Sequence, residues 1–406
     1  MHILYLNPSG QMGGAEAALL DTLASIREAQ PEWTLELIVS AEGTLAAKAR
    51  SLGVVTTILP FPDSLVRLGD ASAGGPAADT SDRFRLLRQL AFASPGIAAY
   101  VSRLRRLLRQ RRPDVIHSNG FKMHVLGAMA KPRGVPLIWH IHDYVQSRPL
   151  MAGLMKLLRR RCTLALVNSN SVGRDVTQAC ATLPIQTVYN GVDTTVFSPF
   201  GERLDLDSLS GLSSAEPATI RIGMLATLAR WKGHEIFLRA LSLIASDIPW
   251  RGYIVGDALY QTDGSQYSLE ELKDISRRLG ISSRVGFTGF VEEPASAMRS
   301  LDVVVHASTQ PEPFGLVIVE GMACGRAVIV SEAGGALELI ERGTNALGHT
   351  PGDAAQLAER ITQLAGDPQL RAQLGAAGRA TAEQRFNRTR LATELVPIYE
   401  HVSGGD

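Results

Sequence analysis

The sequence predicts an α/β protein made of two Rossmann-like domains. The chain has 406 residues, which at roughly 150 residues per domain corresponds to two or three domains. Short runs of β-branched and apolar residues alternate with helical patterns, which is typical of parallel sheets covered by helices. A polar, turn-rich stretch that starts near Asn190 and Gly191 divides this alternation into two series.

The two series contain twelve candidate strands. Those in the first half are Ile3–Asn7, Leu35–Ser40, Thr56–Leu59, Val115–His117, Leu137–His140, Leu164–Val167 and Gln186–Val188. Those in the second half are Arg221–Leu225, Gly252–Val255, Val285–Thr288, Val303–Ala307 and Ala327–Ser331. We expect an N-terminal domain over 1–190 and a C-terminal domain over 191–384, with a last helix at about 385–406 that packs back on the N-terminal domain. Residues 70–82 have loop composition.

Composition excludes several classes of protein. Hydrophobic residues make up 45% and charged residues 20% of the chain, as in ordinary folded proteins. The three cysteines, Cys162, Cys180 and Cys324, have no CxxC or Cys/His spacing, so neither a disulfide framework nor a zinc site is indicated. The start has no signal-peptide pattern, and no apolar run reaches the roughly 18 residues that span a bilayer. We expect a cytoplasmic protein.

Charge is distributed unevenly along the chain. Residues 1–190 carry 22 Lys and Arg against 13 Asp and Glu, whereas the remainder carries 19 against 27. Nine arginines lie between Arg83 and Arg112 without an acidic residue, interleaved with apolar residues. This pattern predicts a pair of basic amphipathic helices, which either bind an anionic membrane surface or anionic substrate or form a solvated face. Nucleic acid is not an expected partner, because aromatics are few and no binding motif is present.

A glycine-rich loop follows the first predicted strand. It contains Gly13 and Gly14 and leads into a helical pattern, so that backbone amides at the helix start could bind a phosphate. The spacing is not GxGxxG, and Ser40 and Ala41 stand where a dinucleotide site needs an acid. A nicotinamide dinucleotide is therefore disfavoured, and a tight turn without a ligand remains the alternative.

Two cations follow the first strand of the second series. Arg230 and Lys232 precede a helix and come at the carboxyl end of that strand, where ligands bind in parallel sheets. Two positive charges there suit a diphosphate. A solvated loop would explain the same residues.

The most informative segment runs from Pro311 to Gly325. Its two glutamates, Glu312 and Glu320, are eight residues apart and flank the start of a helix that should begin near Phe314 or Gly315. Exposed amides at that start could bind phosphate, while each carboxylate accepts hydrogen bonds from sugar hydroxyls. Charge complementary to the helix dipole would explain Glu312 but not the whole pattern.

Together these motifs resemble glycosyltransferase family 4, whose members are retaining enzymes of the GT-B fold with two Rossmann-like domains facing each other across a cleft. The resemblance covers nearly the entire chain in the right order. It is carried by the E-x7-E segment, Lys232-Gly233, Gly13-Gly14-Ala15-Glu16, Asn190-Gly191-Val192-Asp193, and Gly334-Gly335 with Glu338.

The resemblance implies a retaining hexosyltransferase that moves a sugar from a UDP- or GDP-sugar to a hydroxyl acceptor. The N-terminal domain would bind the acceptor, a lipid-linked or cell-envelope glycan, and the C-terminal domain would bind the donor. No metal ion or other cofactor is implied. Two alternatives stay open: a non-catalytic subunit that binds nucleotide sugars or glycans, and a nucleotide-sugar epimerase or phosphorylase on the same fold.

The family pattern also implies roles for individual residues. Glu320 would bind the ribose hydroxyls, Glu312 would hold the transferred sugar and support catalysis, and Lys232 would neutralise the diphosphate. The other donor-site residues implied are Gly14 in its loop, the amides of Phe314, Gly315 and Leu316, and the backbone near Phe290 and Val291.

The sequence departs from the family pattern in two places. Thr227 stands where the family has an arginine, so either Arg230 supplies the second cation or Lys232 and the helix amides hold the diphosphate alone. Many relatives have HxH after the fourth strand, whereas this chain has His117-Ser118-Asn119. His117 and Asn119 remain candidates on the acceptor side. His140 and His142 offer a substitute, and we favour His142 as the catalytic histidine.

Overall fold

The computed structural model describes residues 1–63, 65, 80–258 and 265–404, and within 80–94 it describes the backbone only. The chain divides into two compact units. The first comprises Met1–Gly191 and Arg388–Asp406, and the second comprises Val192–Asn387. The C-terminal segment therefore belongs to the same unit as the N-terminus.

The first unit contains a seven-stranded parallel sheet of order β3-β2-β1-β4-β5-β6-β7. Its strands are β1 (His2–Leu6), β2 (Thr34–Val39), β3 (Val55–Ile58), β4 (Val115–Asn119), β5 (Leu137–Ile141), β6 (Leu164–Val167) and β7 (Ile185–Thr187). Its helices are α1 (Gly14–Ala29), α2 (Thr44–Ser51), α3 (Thr80–Arg111), α4 (Phe121–Ala130), α5 (Pro149–Leu158), α6 (Asn170–Ala179) and, after the second unit, α14 (Thr389–Gly404). Strand order reverses between β1 and β4, so their carboxyl ends form the crevice where ligands bind in such sheets.

Helix α14 completes the core of the first unit. Leu391 and Leu395 are buried in the same apolar cluster as Ile3 of β1 and Leu19 of α1. The hydroxyl of Tyr399 lies 2.8 Å from His117 Nδ1 in β4. Segments nearly 400 residues apart in sequence thus share one core.

The second unit contains a six-stranded parallel sheet of order β10-β9-β8-β11-β12-β13. Its strands are β8 (Ile220–Leu225), β9 (Trp250–Val255), β10 (Val285–Gly289), β11 (Val303–His306), β12 (Ala327–Ser331) and β13 (Leu347–His349). Its α-helices are α7 (Leu206–Leu209), α8 (His234–Ser242), α9 (Leu269–Arg278), α10 (Pro294–Arg299), α11 (Leu316–Ala323), α12 (Ala354–Gly366) and α13 (Pro368–Arg385). Here the order reverses between β8 and β11, which places the equivalent crevice at their carboxyl ends.

The predicted fold class is confirmed, and all twelve predicted strands occur within two residues of their expected bounds. Strand β13 was not predicted, because three residues that include Gly348 give no recognisable apolar run. The three cysteines are buried free thiols. None of the helices in the described part of the chain is long and apolar enough to cross a membrane.

The prediction of a pair of basic helices is wrong. The segment forms one helix, α3, with Pro95 inside it. The arginines, leucines and alanines on both sides of Pro95 favour a helix. The proline removes one backbone hydrogen bond, and a helix can continue past such a residue with a kink. The loop expected at 70–82 lies outside the described residues up to 79, and residues 80–82 begin α3.

Candidate functional site

Lys232 is brought to the centre of the second sheet by a glycine turn. It ends a short 3₁₀ turn, Arg230–Lys232, that follows β8. The next residue, Gly233, has φ +84°, and a Cβ there would lie 1.9 Å from the carbonyl oxygen of Ala307. Only glycine allows this approach, so the turn lies directly against the residue that follows β11. Thr309 N also donates to Trp231 O at 2.7 Å.

Glu312 lies in the connection between β11 and α11 and is 6% exposed. Its carbonyl accepts a hydrogen bond from Gly335 N at 2.6 Å, and it forms an isolated bridge with Gly334. The glycine pair after β12 therefore fixes the backbone from which this carboxylate projects.

The carboxylate of Glu312 meets three polar side chains at the reversal point of the sheet. Lys232 Nζ lies 3.1 Å from Oε1 and 2.8 Å from Oε2. His306 Nε2 lies 3.0 Å from Oε2, and Ser308 Oγ donates to the same oxygen at 2.8 Å. Burial alone would raise the pKa of Glu312, but the Lys232 ammonium and the His306 hydrogen bond outweigh it and hold the pKa well below its usual range. The carboxylate is therefore charged at neutral pH.

The E-x7-E segment enters α11 as predicted. Gly315, which has no side chain to cap the helix, is the N-cap residue with φ +100°, and Leu316 is the first helical residue. Glu320 lies in the second turn and is half-buried. The ring of Phe314 is 2% exposed and lies 6.1 Å from that of Phe386, so Phe314 can offer a ligand its backbone but not its side chain.

Arg230 is the candidate to take the place of the arginine that is missing at Thr227. Its guanidinium forms a 2.6 Å ion pair with Glu271, which belongs to the capping box of α9, and lies 4.3 Å from the ring centroid of Tyr267. Both contacts hold the side chain toward α9.

The residues expected near the nucleotide base follow β10. Phe290 is 61% exposed and Val291 is half-buried. Gly256 N donates to Gly289 O at 2.9 Å and joins the ends of β9 and β10. The structure thus places Val291 at the same carboxyl edge of the sheet as Lys232.

In the first unit, Asn119 connects the glycine loop to the sheet. Its Nδ2 donates to Asn7 Oδ1 at 2.9 Å, and Asn7 Nδ2 donates to Glu16 Oε1 at 3.2 Å. Burial raises the pKa of Glu16, although its hydrogen bond with Asn7 acts in the opposite direction. Gly14 is exposed and is the first residue of α1. The loop is therefore anchored at the reversal point between β1 and β4.

His117 is buried in the core rather than presented to a ligand. It has no exposed surface, and its two ring nitrogens contact Tyr399 Oη at 2.8 Å and His140 Nδ1 at 3.2 Å. Burial lowers its pKa to about 3. The arrangement gives His117 a structural role that joins α14 to the sheet.

His142 lies at the end of β5, beyond His140. The two ring centroids are 4.1 Å apart, and neither ring nitrogen of His142 has a hydrogen-bond partner in the described structure. Burial lowers its pKa to about 4, so the ring is neutral near pH 7. Of His117, His140 and His142, only His142 has both ring nitrogens buried without a hydrogen-bond partner in the described part of the chain.

Sequence reasoning missed His306 and Ser308. The available signal was a histidine that ends an otherwise all-valine strand, Val303–His306, six residues before Glu312. A lone histidine at such a position is common in protein cores, and its contact with Glu312 depends on the fold. Among the described residues there is no group of three or more His, Cys, Asp and Glu side chains arranged to hold a metal ion.

Comparison with protein families agrees with this geometry. The sequence model for "Glycosyl transferases group 1" matches residues 214–381, and the model for "Glycosyltransferase Family 4" matches residues 45–196. The chain belongs to the family 4 glycosyltransferases. The first match lies in the second unit and the other lies almost entirely in the first unit, and together they include Lys232, Glu312 and His142.

Individual relatives of this glycosyltransferase are distant in sequence. Sulfoquinovosyl transferase SQD2 of Arabidopsis thaliana is 28% identical over 326 residues, 74% of this chain and 58% of that protein. The chain thus spans less than two thirds of the plant relative. D-inositol 3-phosphate glycosyltransferase of Jonesia denitrificans is 27% identical over 313 residues, 71% of each chain.

Among solved structures, this glycosyltransferase is similar to HepE of Anabaena. The HepE complex with UDP aligns over 99% of this chain and 100% of HepE, with 28% identity and a TM-score of 0.76. The complex with UDP-glucose gives a TM-score of 0.77 at 27% identity. The two parallel-sheet domains are those of GT-B glycosyltransferases.

Proposed function

We propose that this glycosyltransferase moves a hexosyl group from a UDP- or GDP-sugar to a hydroxyl acceptor, with retention of anomeric configuration. The observation that carries the proposal is the pairing of Lys232 with Glu312 at the reversal point of the second sheet, beside the start of α11. This is where a parallel sheet binds its ligand, and a cation and helix amides suit a diphosphate. HepE, solved with UDP and UDP-glucose, supports a nucleotide-sugar donor.

We assign donor binding to the second unit. The Lys232 ammonium and the amides of Gly315 and Leu316 bind the diphosphate, and the Glu320 carboxylate accepts hydrogen bonds from the ribose hydroxyls. The amide of Phe314 contributes to the same helix start, and the backbone at Val291 contacts the base. Gly14 belongs to the first unit, where we assign its loop to the donor phosphate.

The chemistry we propose occurs on one face of the donor sugar. The acceptor oxygen forms a bond to the anomeric carbon while the bond from that carbon to the diphosphate oxygen breaks. The proton of the acceptor hydroxyl passes to the departing phosphate oxygen. Lys232 and the helix amides stabilise the charge that accumulates on the leaving group, and no metal ion takes part. Glu312 holds the transferred sugar, and the neutral ring of His142 accepts a hydrogen bond from a reacting hydroxyl.

We assign acceptor binding to the first unit, to Asn119 at the end of β4 and His142 just after the end of β5. The acceptor we propose is a lipid-linked or cell-envelope glycan at the inner membrane face. The support is a basic surface on the second half of α3, made of Arg103, Arg106 and Arg109, all exposed. Among the described residues Arg106 and Arg109 form no salt bridge, so their charges are available to an anionic surface.

Calorimetric titration with UDP, GDP and ADP, with and without EDTA, tests the donor site. We expect one diphosphate to bind preferentially and its affinity to be unchanged by EDTA. Loss of binding in EDTA would contradict the metal-free site, and binding of none of the three would contradict the proposed function. NMR of the product with the matching donor sugar then reports whether the anomeric configuration is retained.

A non-catalytic nucleotide-sugar-binding subunit is the second candidate. Thr227 favours it, because this residue stands where the family pattern has an arginine. Nucleotide release separates the two: a transferase frees UDP or GDP from the donor in the presence of a suitable acceptor, whereas a binding subunit retains the donor intact with every acceptor offered.

A further inference from the structure

His306 is a buried polar residue to which the proposed function assigns no task. It ends β11, which lies between β8 and β12, and is 3% exposed. The three residues before it are valines. An apolar side chain would continue that run at a smaller desolvation cost, so packing alone does not explain an imidazole here.

The imidazole contacts the carboxylate proposed to hold the transferred sugar. His306 Nε2 lies 3.0 Å from Glu312 Oε2 and 3.0 Å from Ser308 Oγ. Because a carboxylate only accepts hydrogen bonds, Nε2 carries the hydrogen and donates it to Glu312. The carbonyl of His306 lies 3.2 Å from His349 Nε2, so His349 contacts the backbone of His306 and not its ring.

Lys232 has two anionic partners under the proposed function. In the structure its ammonium lies 2.8 Å from Glu312 Oε2. A donor diphosphate carries more charge than one carboxylate and attracts the same ammonium more strongly. Because Glu312 is 6% exposed, a carboxylate left without its cation would oppose donor binding unless other donors stayed in place.

We propose that His306 is a positioning residue for Glu312: with the Ser308 hydroxyl, it keeps the buried carboxylate hydrogen-bonded when a diphosphate draws Lys232 away. This inference rests on the proposed function, because it requires that Lys232 bind the donor diphosphate. It explains why a histidine and a serine converge on one carboxylate oxygen. If His306 has this role, the free energy needed to separate Lys232 from Glu312 depends on His306.

A double-mutant cycle tests this dependence without knowledge of the acceptor. Calorimetry would measure the affinity of UDP or GDP, whichever binds the wild-type protein, for His306→Leu, Glu312→Gln and the double variant. We expect His306→Leu to weaken binding about tenfold in the wild-type background. In the Glu312→Gln background the same change should alter affinity less than twofold, because a neutral amide needs no charge compensation. A histidine with a merely structural role would weaken binding equally in both backgrounds.

Conservative variants and a matched control complete the experiment. His306→Gln keeps an N–H donor and should recover most of the lost affinity, and Ser308→Ala should weaken binding about threefold only while Glu312 is charged. These two variants carry the test if His306→Leu does not fold. His349→Gln removes another buried imidazole of the same sheet that makes no hydrogen bond with Glu312, and should leave the affinity within twofold.

The outcomes separate this inference from the proposed function. Equal affinity of His306→Leu and wild type, or equal losses in both backgrounds, would overturn the role of His306 and leave the donor site standing. A wild-type protein that binds neither UDP nor GDP would overturn the proposed function and the inference with it.

Discussion

The two glutamates of the E-x7-E segment are assigned different tasks, so their substitution should have different effects. Glu312→Gln should abolish transfer while nucleotide binding persists or strengthens, because Lys232 no longer has a carboxylate partner. Glu320→Gln should weaken the nucleotide itself by about 1 to 3 kcal/mol through lost charge-assisted hydrogen bonds. Calorimetry with the preferred diphosphate and a donor-turnover assay measure both, and the reverse pattern would mean that the two roles are exchanged.

Gly233 should be intolerant of any side chain. In Gly233→Ala the new Cβ would meet the Ala307 carbonyl at 1.9 Å in a backbone with φ +84°. We expect the free energy of unfolding to fall by about 2 to 4 kcal/mol, measured by chemical denaturation. Gly280→Ala is the matched control: φ is +71° with nothing within 4 Å, so only the conformational cost of about 1 kcal/mol applies. Equal losses in the two variants would contradict the close approach.

Single residues of the site could be predicted where they belonged to a motif or met a chemical requirement. The residues with which they form contacts could not be predicted. Lys232 and Glu312 were both singled out, yet the ion pair between them joins residues 80 positions apart and depends on β8 lying beside β11. The ion pair of Arg230 with Glu271 was not predicted, because Glu271 comes 41 residues later. Sequence spacing does not show which acidic residue, distant in sequence, will form an ion pair with a given Lys or Arg.

At the scale of elements, the second half of α3 should confer affinity for anionic membranes. Charge reversal of Arg103, Arg106 and Arg109 to Glu should reduce co-sedimentation with phosphatidylglycerol vesicles at least tenfold at low salt, since each basic residue near such a surface contributes about 1 kcal/mol. Arg105 is left intact because it donates to the carbonyl of Met129 at 2.6 Å.

The matched control for that surface lies in the other unit. Arg277 and Arg278 are exposed at the end of α9, and their reversal should leave vesicle binding unchanged. If the α3 variant binds vesicles as well as wild type does, the arginines form a solvated face and the membrane proposal fails.

Strands were easier to predict than helix continuity. Parallel strands that are buried on both faces are short apolar runs, and this is why all twelve expected strands were found. The segment of α3 was predicted to form two helices. The structure continues one helix through Pro95, and nothing local in the sequence distinguishes the two outcomes.

For the whole molecule, buried neutral histidines should make stability fall in mild acid. Burial lowers the pKa of His117 to about 3 and of His142 to about 4, and it lowers those of His124 and His140 well below the usual value. The unfolded chain binds protons near pH 6.5, whereas the folded chain does not until much lower pH. The free energy of unfolding should therefore decrease between about pH 6.5 and pH 4, by up to about 1.4 kcal/mol per pH unit for each such histidine.

Urea denaturation at pH 7.5, 6.5, 5.5 and 4.5 measures this slope. His124→Gln removes one buried imidazole, which lies 2.8 Å from Ser118 Oγ. In this variant the free energy of unfolding should change less with pH than in the wild type. His401→Gln changes an exposed histidine of α14 and should leave the slope unaltered. A wild-type stability that is constant from pH 6.5 to 4.5 would contradict the buried, neutral state of these rings.

The return of the chain to its first unit has a consequence for biosynthesis. The polypeptide leaves that unit at Gly191 and re-enters it at Arg388, and α14 then fills the core around Ile3 and Tyr5. At about 5 to 20 residues per second, the ribosome needs about 10 to 40 s to make the intervening unit and the returning helix. During that time the apolar face of the first strands that α14 later covers stays exposed. A chaperone could bind this exposed surface. A nonsense mutation just after Asn387 would leave the second unit whole and the first one permanently unfinished.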